Sequence, residues 1–251
     1  MFRHKLIGLG AAAFLVLATT MPAQADRAVF AFTHLGGEVK TLDVVTNLSS
    51  YMLTALTPLD FLPFVADGAG WYDETGLHSA SNPNYVAGIL ELISGPVEHR
   101  NYFAFGGIGS LAPGETISSA TLNLTNPDCP TCGYISPNPT ETYTLWDVAT
   151  DPFTLVLDSP SGPGGVAVYT DLGSGVSYGS RVMSAADNGT VVSIALNAAG
   201  LAYIFGNIET GIVFGGAMDT TAPIPEPTTM LLLGSGLVGL AAWKRRQPKN
   251  G

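Results

Sequence analysis

Glycine and proline interrupt this chain so often that long helices are excluded from most of it. The 251 residues include 30 Gly and 17 Pro, and the apolar residues between them come in short runs. Several runs alternate apolar with polar residues, which is typical of β-strands with one buried face. Residues 117–125 and 191–196 are examples. We therefore expect a body without helices longer than about three turns.

The number and spacing of the strand-like runs predict an all-β body, an antiparallel β-sandwich of the jelly-roll kind at residues 61–220. A barrel is the alternative, because barrels also consist of many short strands. Residues 26–60 contain further strands whose packing the sequence leaves open. The turn signal Asp187-Asn188-Gly189 predicts a hairpin between the strands that flank it.

The first 25 residues have the three parts of a secretory signal. A basic segment precedes the apolar run 6–18, and Ala23 and Ala25 form a small-residue cleavage site. We therefore predict a signal helix that is cleaved after Ala25. An N-terminal membrane anchor that stays in place is the alternative.

The C-terminal residues predict a linker, a membrane span and a basic tail. The proline-rich linker 221–229 precedes residues 230–243, which contain no ionisable side chain, and residues 244–251 begin with Lys-Arg-Arg. We expect a transmembrane helix at 230–243, shorter than the roughly 20 residues of a comfortable span, with the basic tail in the cytoplasm. A buried core helix is the alternative, but such a helix would have a polar face.

The charge of the body excludes nucleic acid as an expected partner. Residues 26–219 contain four Lys or Arg against nineteen Asp or Glu, which gives this segment a net charge of −15. A surface of this sign repels phosphate backbones and remains well solvated. It is suited to an extracellular protein.

Two cysteines, Cys129 and Cys132, predict a disulfide that closes a short loop. Export exposes them to an oxidising compartment, which favours the disulfide. A redox Cys-x-x-Cys would need a thioredoxin-like βαβ context, and a zinc site would need two further ligands, of which the nearest histidine is His99.

Large aromatic and acidic residues follow one another at positions 67–78. Trp71 and Tyr72 are candidate contacts for a sugar ring, or else they close one end of the sandwich. A calcium ion bound by carboxylates of this segment is a weaker possibility, with a solvated acidic loop as the alternative. The residues considered for that ion are Asp67, Asp73, Glu74 and His78.

Two motifs with catalytic associations lack the context that their chemistry requires. Residues 175–179 match Gly-x-Ser-x-Gly, but a nucleophile elbow needs strand, turn and helix, and no histidine follows His99. Residues 234–239 match a dinucleotide-binding spacing, but only twelve residues follow them. We therefore assign no catalytic residue, no cofactor and no metal site, and expect a protein that is not an enzyme.

The tripeptide Pro225-Glu226-Pro227, followed by an apolar helix and a basic cluster, resembles the PEP-CTERM sorting signal of exopolysaccharide-producing Gram-negative bacteria. The resemblance implies an exosortase as partner, a membrane-embedded cysteine protease-transpeptidase that cuts near this tripeptide. The span at 230–243 would then hold the protein in the inner membrane only until it is processed and moved to the cell surface or extracellular matrix.

The body also resembles the β-sandwich bodies common among PEP-CTERM proteins and, more distantly, DNRLRE and carbohydrate-binding jelly-roll modules. The stretches that carry this resemblance are 70–73, 100–103, 117–122, 172–179 and 192–199. It implies an exported surface or matrix protein with a body that is not enzymatic and that has exopolysaccharide as a possible partner. A carbohydrate-binding module is the alternative, and a matrix-modifying glycoside hydrolase comes third.

Overall fold

The computed structural model describes most of the body and neither end of the chain. The predicted signal helix 1–25, the linker 221–229 and the span 230–243 lie outside the described residues. Those residues are 28–32, 39–55, 68–79, 82, 84–92, 94–129, 132–152, 154–155 and 160–219.

Strands account for about half of the described structure, and the longer of the two helices named here has 10 residues, in agreement with the glycine and proline pattern. In chain order the elements are β1 Val29–Ala31, β2 Lys40–Thr46, β3 Ser50–Thr54, β4 Ala69–Asp73, β5 Ala87–Leu92, β6 Gly95–Phe105, β7 Ile117–Asn126, β8 Thr140–Trp146, α1 Pro163–Asp171, β9 Ser177–Ser184, β10 Thr190–Ala195, α2 Ala198–Asn207 and β11 Ile212–Asp219.

The strands form two antiparallel sheets, and the all-β prediction is confirmed. The seven-stranded sheet has the order β1-β5-β6-β11-β8-β9, and β4 also pairs with β6. The four-stranded sheet has the order β10-β7-β2-β3. The packing of residues 26–60, which the sequence leaves open, is now clear for three strands. β1 belongs to the larger sheet, while β2 and β3 belong to the smaller one.

The main core lies between the two sheets and is built by alternate residues of their strands. Leu42, Leu122 and Ile194 come from the four-stranded sheet, while Phe103 and Phe214 come from the seven-stranded sheet, and all five are fully buried. Burying one such side chain contributes about 1.5–3 kcal/mol. The alternation that buries these residues turns their neighbours along each strand outward.

The predicted hairpin around Asp187 is wrong, because β9 pairs with β8 and β10 pairs with β7 in the other sheet. Asp187 instead closes a one-turn 3-10 helix, in which its carboxylate accepts a hydrogen bond from the Ser184 backbone N–H at 2.8 Å. Asn188 accepts hydrogen bonds from Asn126 and Tyr134. These side-chain bonds fix the segment as a connection between the two sheets.

Helix α1 covers part of the outer face of the seven-stranded sheet, and the sequence analysis did not predict it. Its start is rich in glycine, which disfavours helix by about 1 kcal/mol per residue relative to alanine. Tertiary packing compensates, since Val168, Tyr169 and Leu172 join Tyr72 and Tyr102 of the sheet in a second apolar cluster. Four further residues complete this cluster: Ala104, Leu155 and Val213, with the partly buried Val148 at its border.

Candidate functional site

Trp71 and Tyr72, the predicted sugar contacts, are both buried on β4. Trp71 is 9% exposed and packs with Phe30 and Val86, while Tyr72 is 0% exposed and lies in the cluster under α1. Neither aromatic ring therefore presents an open face to a ligand. Both side chains are packed inside the body.

Two histidines, His78 and His99, pack against these two rings, and we call the four side chains the aromatic cluster. The His78 ring stacks on Tyr72 with ring centroids 4.4 Å apart, and His99 lies 5.0 Å from Trp71. Loss of solvent lowers the pKa of His78 and of His99, although backbone hydrogen bonds partly oppose this. Burial also raises the pKa of Tyr72 to about 12. The cluster is therefore uncharged near neutral pH.

Three polar atoms of this cluster are buried without a hydrogen-bond partner, namely Trp71 Nε1, Tyr72 Oη and His78 Nε2. His78 Nδ1 lies 2.7 Å from the Trp71 carbonyl oxygen, so Nδ1 carries the proton and Nε2 is an acceptor in the neutral ring. Each unpaired group costs about 1–3 kcal/mol. An apolar cluster of the same shape would avoid this cost, so the polar atoms distinguish this region from an ordinary core.

The carboxylate of Asp73, an acidic residue near the cluster, is engaged in hydrogen bonds within its own loop. Asp73 Oδ1 accepts hydrogen bonds from the Thr75 N–H, the Thr75 hydroxyl and the Leu77 N–H at 2.7–2.9 Å. Glu74 is exposed, and Asp67 lies outside the described residues. Over the part of the chain that is described, no three metal-ligating side chains come together. Asp73 thus holds the turn after β4.

The Gly-x-Ser-x-Gly stretch is a turn that leads into a strand. Gly175 has φ +92°, and the Val176 N–H donates to Asp147 Oδ1 at 2.6 Å. Ser177 then begins β9 rather than a helix. A nucleophile elbow needs a helix after the serine, so this geometry does not expose Ser177 as a nucleophile.

Cys129 and Cys132 are joined by a disulfide. The chain then turns at Gly133, where φ is +78°, and the Tyr134 N–H donates to Asn188 Oδ1 at 2.6 Å. An open cleft of about 490 Å³ lies beside this turn. The residues that line it are Tyr134, Ile135, Ser136, Pro137, Asn138, Pro139 and Ala185.

The lining of the cleft is mainly apolar, and its polar side chains Ser136 and Asn138 are both bonded to Glu141. Ser136 Oγ and Asn138 Nδ2 both donate to Glu141 Oε1, at 3.0 and 2.6 Å. The carboxylate of Glu141 is buried with the rest of its residue. These bonds fix the loop before β8.

The outer face of the four-stranded sheet carries a group of polar side chains that the sequence analysis did not single out, beside the exposed apolar Val45, Met52 and Val191. We call this group the polar face, and its members are Thr41, Asp43, Thr121, Asn123, Thr125 and Ser193. These residues alternate with buried ones such as Leu122 and Leu124. The alternation that predicted the inner face therefore also indicated which residues point outward. These outward residues form no sequence motif, and only the pairing of the strands brings their side chains together.

Hydrogen bonds cross three adjacent strands on the polar face. Ser193 Oγ donates to Asn123 Oδ1 at 2.7 Å, and Asn123 Nδ2 donates to Asp43 Oδ2 at 2.9 Å. The other carboxylate oxygen, Asp43 Oδ1, is buried and has no partner. The network therefore ends on an acceptor that lacks a donor.

Comparison with known proteins identifies the C-terminal segment. Residues 223–246 match the family described as the PEP-CTERM protein-sorting motif, which confirms the resemblance of the tail. No curated protein and no solved structure matches the chain. The matched segment begins shortly after Asp219, where β11 ends. Its presence supports export and sorting to the cell envelope or surface through an exosortase.

The matched segment and its predicted span lie beyond the described residues. Among the residues that the structure does describe, no helix has the length and apolar character that crossing a bilayer requires.

Proposed function

We propose that this chain is an exported cell-surface or matrix protein with a non-enzymatic body, which an exosortase sorts through residues 223–246. The observation that carries the proposal is the match of these residues to the sorting motif, directly after the last strand of the body. The β-sandwich then acts outside the cytoplasm, and the C-terminal segment determines where it goes.

Physical properties of the tail support a temporary anchor in the inner membrane. The apolar run 230–243 is shorter than the roughly 20 residues of a full span, and a mismatch of this kind costs only fractions of a kcal/mol per Å. The basic residues after it keep the C-terminus in the cytoplasm. Pro225-Glu226-Pro227 is thereby placed on the exported side, where the enzyme can cut.

The test replaces Pro225, Glu226 and Pro227 with alanine in the native host. The variant keeps its span, so it should accumulate in the inner membrane at the uncut mass, as measured by fractionation and intact-mass spectrometry. Thr220→Ala with Thr221→Ala is the matched control, because it alters the linker outside the matched motif and should leave processing unchanged. Arrival of the triple variant at the surface with the wild-type mass would refute the proposal.

A glycan-binding role of the body is the second candidate. The polar face is the observation that supports this role, because Trp71 and Tyr72 are buried. A glycoside hydrolase has less support. It needs two carboxyl groups about 5–10 Å apart across a cleft. The described lining of the cleft beside the disulfide contains no carboxylate.

A further inference from the structure

We propose that the polar face of the four-stranded sheet binds a neutral polysaccharide, with Asp43 and Asn123 at the centre of the site. This proposal gives a location to the second candidate function and does not depend on sorting through the tail. Nothing in the sequence motifs points to these residues.

The register of the strands arranges the side chains in rows across the sheet. Asn123 lies opposite Ser193 on one side and Thr41 on the other, which forms one row. In the next row Asp43 lies between Thr121 and Met52. Neighbouring strands are about 4.8 Å apart and residues on one face repeat about every 6.8 Å along a strand. The result is a closely spaced, flat array of hydroxyl, amide and carboxylate groups.

This array has the mixture of groups that recognises a hydroxylated chain. Threonine and serine hydroxyls both donate and accept hydrogen bonds, so they can pair with sugar hydroxyls in either direction. Asp43 is partly exposed, and its carboxylate, which has about four acceptor positions, accepts a hydrogen bond from Asn123. The hydroxyl group of a sugar can donate a further hydrogen bond to this carboxylate, and bonds to an ionised acceptor are strong.

Exposed apolar side chains adjoin the carboxylate, as they do in many ligand sites. Met52 is 72% exposed and lies directly opposite Asp43 on β3, while Val45 is 38% exposed two residues further along β2. A sugar ring presents C–H groups as well as hydroxyls, and these two side chains can contact its C–H groups. The unbranched side chain of methionine can also adapt to the shape of a bound ring.

The charge of the polar face favours a neutral polysaccharide over an acidic one as the ligand. None of the six residues of the polar face is Lys or Arg, and Asp43 brings negative charge. Arg181 borders the face through a hydrogen bond to the Ser193 carbonyl, but its guanidinium pairs with Asp187 at 2.7 Å. An acidic polymer would therefore meet repulsion from Asp43 without a free cation on the face.

The test measures binding of the full-length chain in mild detergent to dextran, laminarin and galactomannan by calorimetry, with alginate as the acidic polymer. We expect at least one neutral polysaccharide to bind more tightly than alginate. Asp43→Asn removes the charged acceptor of the site and Asn123→Ala removes its amide, so each substitution should weaken that binding about tenfold or more. Ser193→Ala, a third substitution on the face, should weaken it less.

Matched controls lie elsewhere on the body. Ser180→Ala on the exposed side of β9 and Asp219→Asn at the exposed end of β11 should leave affinity within about twofold. The proposal is overturned if no neutral polysaccharide binds, if alginate binds more tightly, or if Asp43→Asn and Ser193→Ala both bind as the wild type does. Sorting of Asp43→Asn in the native host should match the wild type, so this result is separate from the test of the tail.

Discussion

The outer faces of the two sheets differ in whether their outward-pointing side chains are covered. The seven-stranded sheet turns Tyr72 and Tyr102 outward and then covers them with helix α1. The four-stranded sheet turns hydroxyl, amide and carboxylate groups outward and leaves them half-buried or exposed. An outward aromatic side chain is therefore no sign of a binding platform in this protein. The face without aromatic residues keeps its polar side chains accessible.

The largest expected effect lies on the covered face. Tyr102 is fully buried in the cluster under α1, so Tyr102→Ala should lower the free energy of unfolding by about 3–5 kcal/mol through lost burial and a cavity. Urea denaturation followed by circular dichroism measures this. A loss below about 1 kcal/mol would show that α1 does not seal this face.

A smaller loss in the free energy of unfolding is expected where α1 meets β11. A Cβ added at Gly215 would lie 2.5 Å from the Leu172 carbonyl oxygen, so Gly215→Ala should force a backbone shift and cost about 1–3 kcal/mol.

Gly206 in α2 provides the matched control for that substitution, because nothing lies within 4 Å of a Cβ added there. Gly206→Ala should stabilise the protein by about 0.5–1 kcal/mol through better helix propensity. Thermal melting of both variants gives the comparison. Equal and small shifts in the two would contradict the close packing of α1 on the sheet.

The sequence predicted the structure correctly where a local pattern, such as alternation, decides which side chains are buried. Alternation over residues 117–125 predicts a strand with one buried face, and Ala120, Leu122 and Leu124 of β7 are buried in the main core. A local pattern fails where partners distant in sequence decide. Asn188 bonds to Asn126 and Tyr134, and these contacts turn an apparent hairpin into a crossing between sheets.

The two candidate sites, the C-terminal tail and the polar face, differ in the same way. The tail could be identified from sequence because its three parts are contiguous, and Pro225-Glu226-Pro227 is a specific tripeptide. The polar face could not, since Asp43, Asn123 and Ser193 are far apart in the chain and meet only through strand register. The burial of Trp71 and Tyr72 depends on α1 and β1, whose packing no local pattern reveals.

A pH dependence should come from the buried aromatic cluster of the larger sheet. The unfolded chain binds protons on its histidines below about pH 6.5, whereas His78 and His99 have lowered pKa values in the folded protein. The folded state therefore binds fewer protons in that range, and the free energy of unfolding falls as the pH falls below about 6.5.

Thermal melting at pH 7.5 and pH 5.5 checks this dependence. The midpoint should be lower at pH 5.5, and His78→Gln should reduce the difference between the two values. A midpoint that rises on acidification would mean that the two imidazoles gain rather than lose protons on folding.

The smallest expected effect lies on the open face. Thr121 is half-buried on the polar face beside Asp43, so Thr121→Ala should change the free energy of unfolding by no more than about 0.5 kcal/mol. Measuring it beside Tyr102→Ala tests the contrast between the two faces directly. A loss above about 2 kcal/mol would show that the polar face is part of the folding core.

The placement of β11 has a mechanical consequence for a body held by its C-terminus. The strand lies between β6 and β8, pairing through Ile212–Gly216 with one and through Gly215–Asp219 with the other. A pull on the chain beyond Asp219 acts along the strand, so it loads the hydrogen bonds to both neighbours together, in shear. An edge strand would peel away one bond at a time. A body tethered through this interior strand would therefore resist unravelling from its anchored end under such a load.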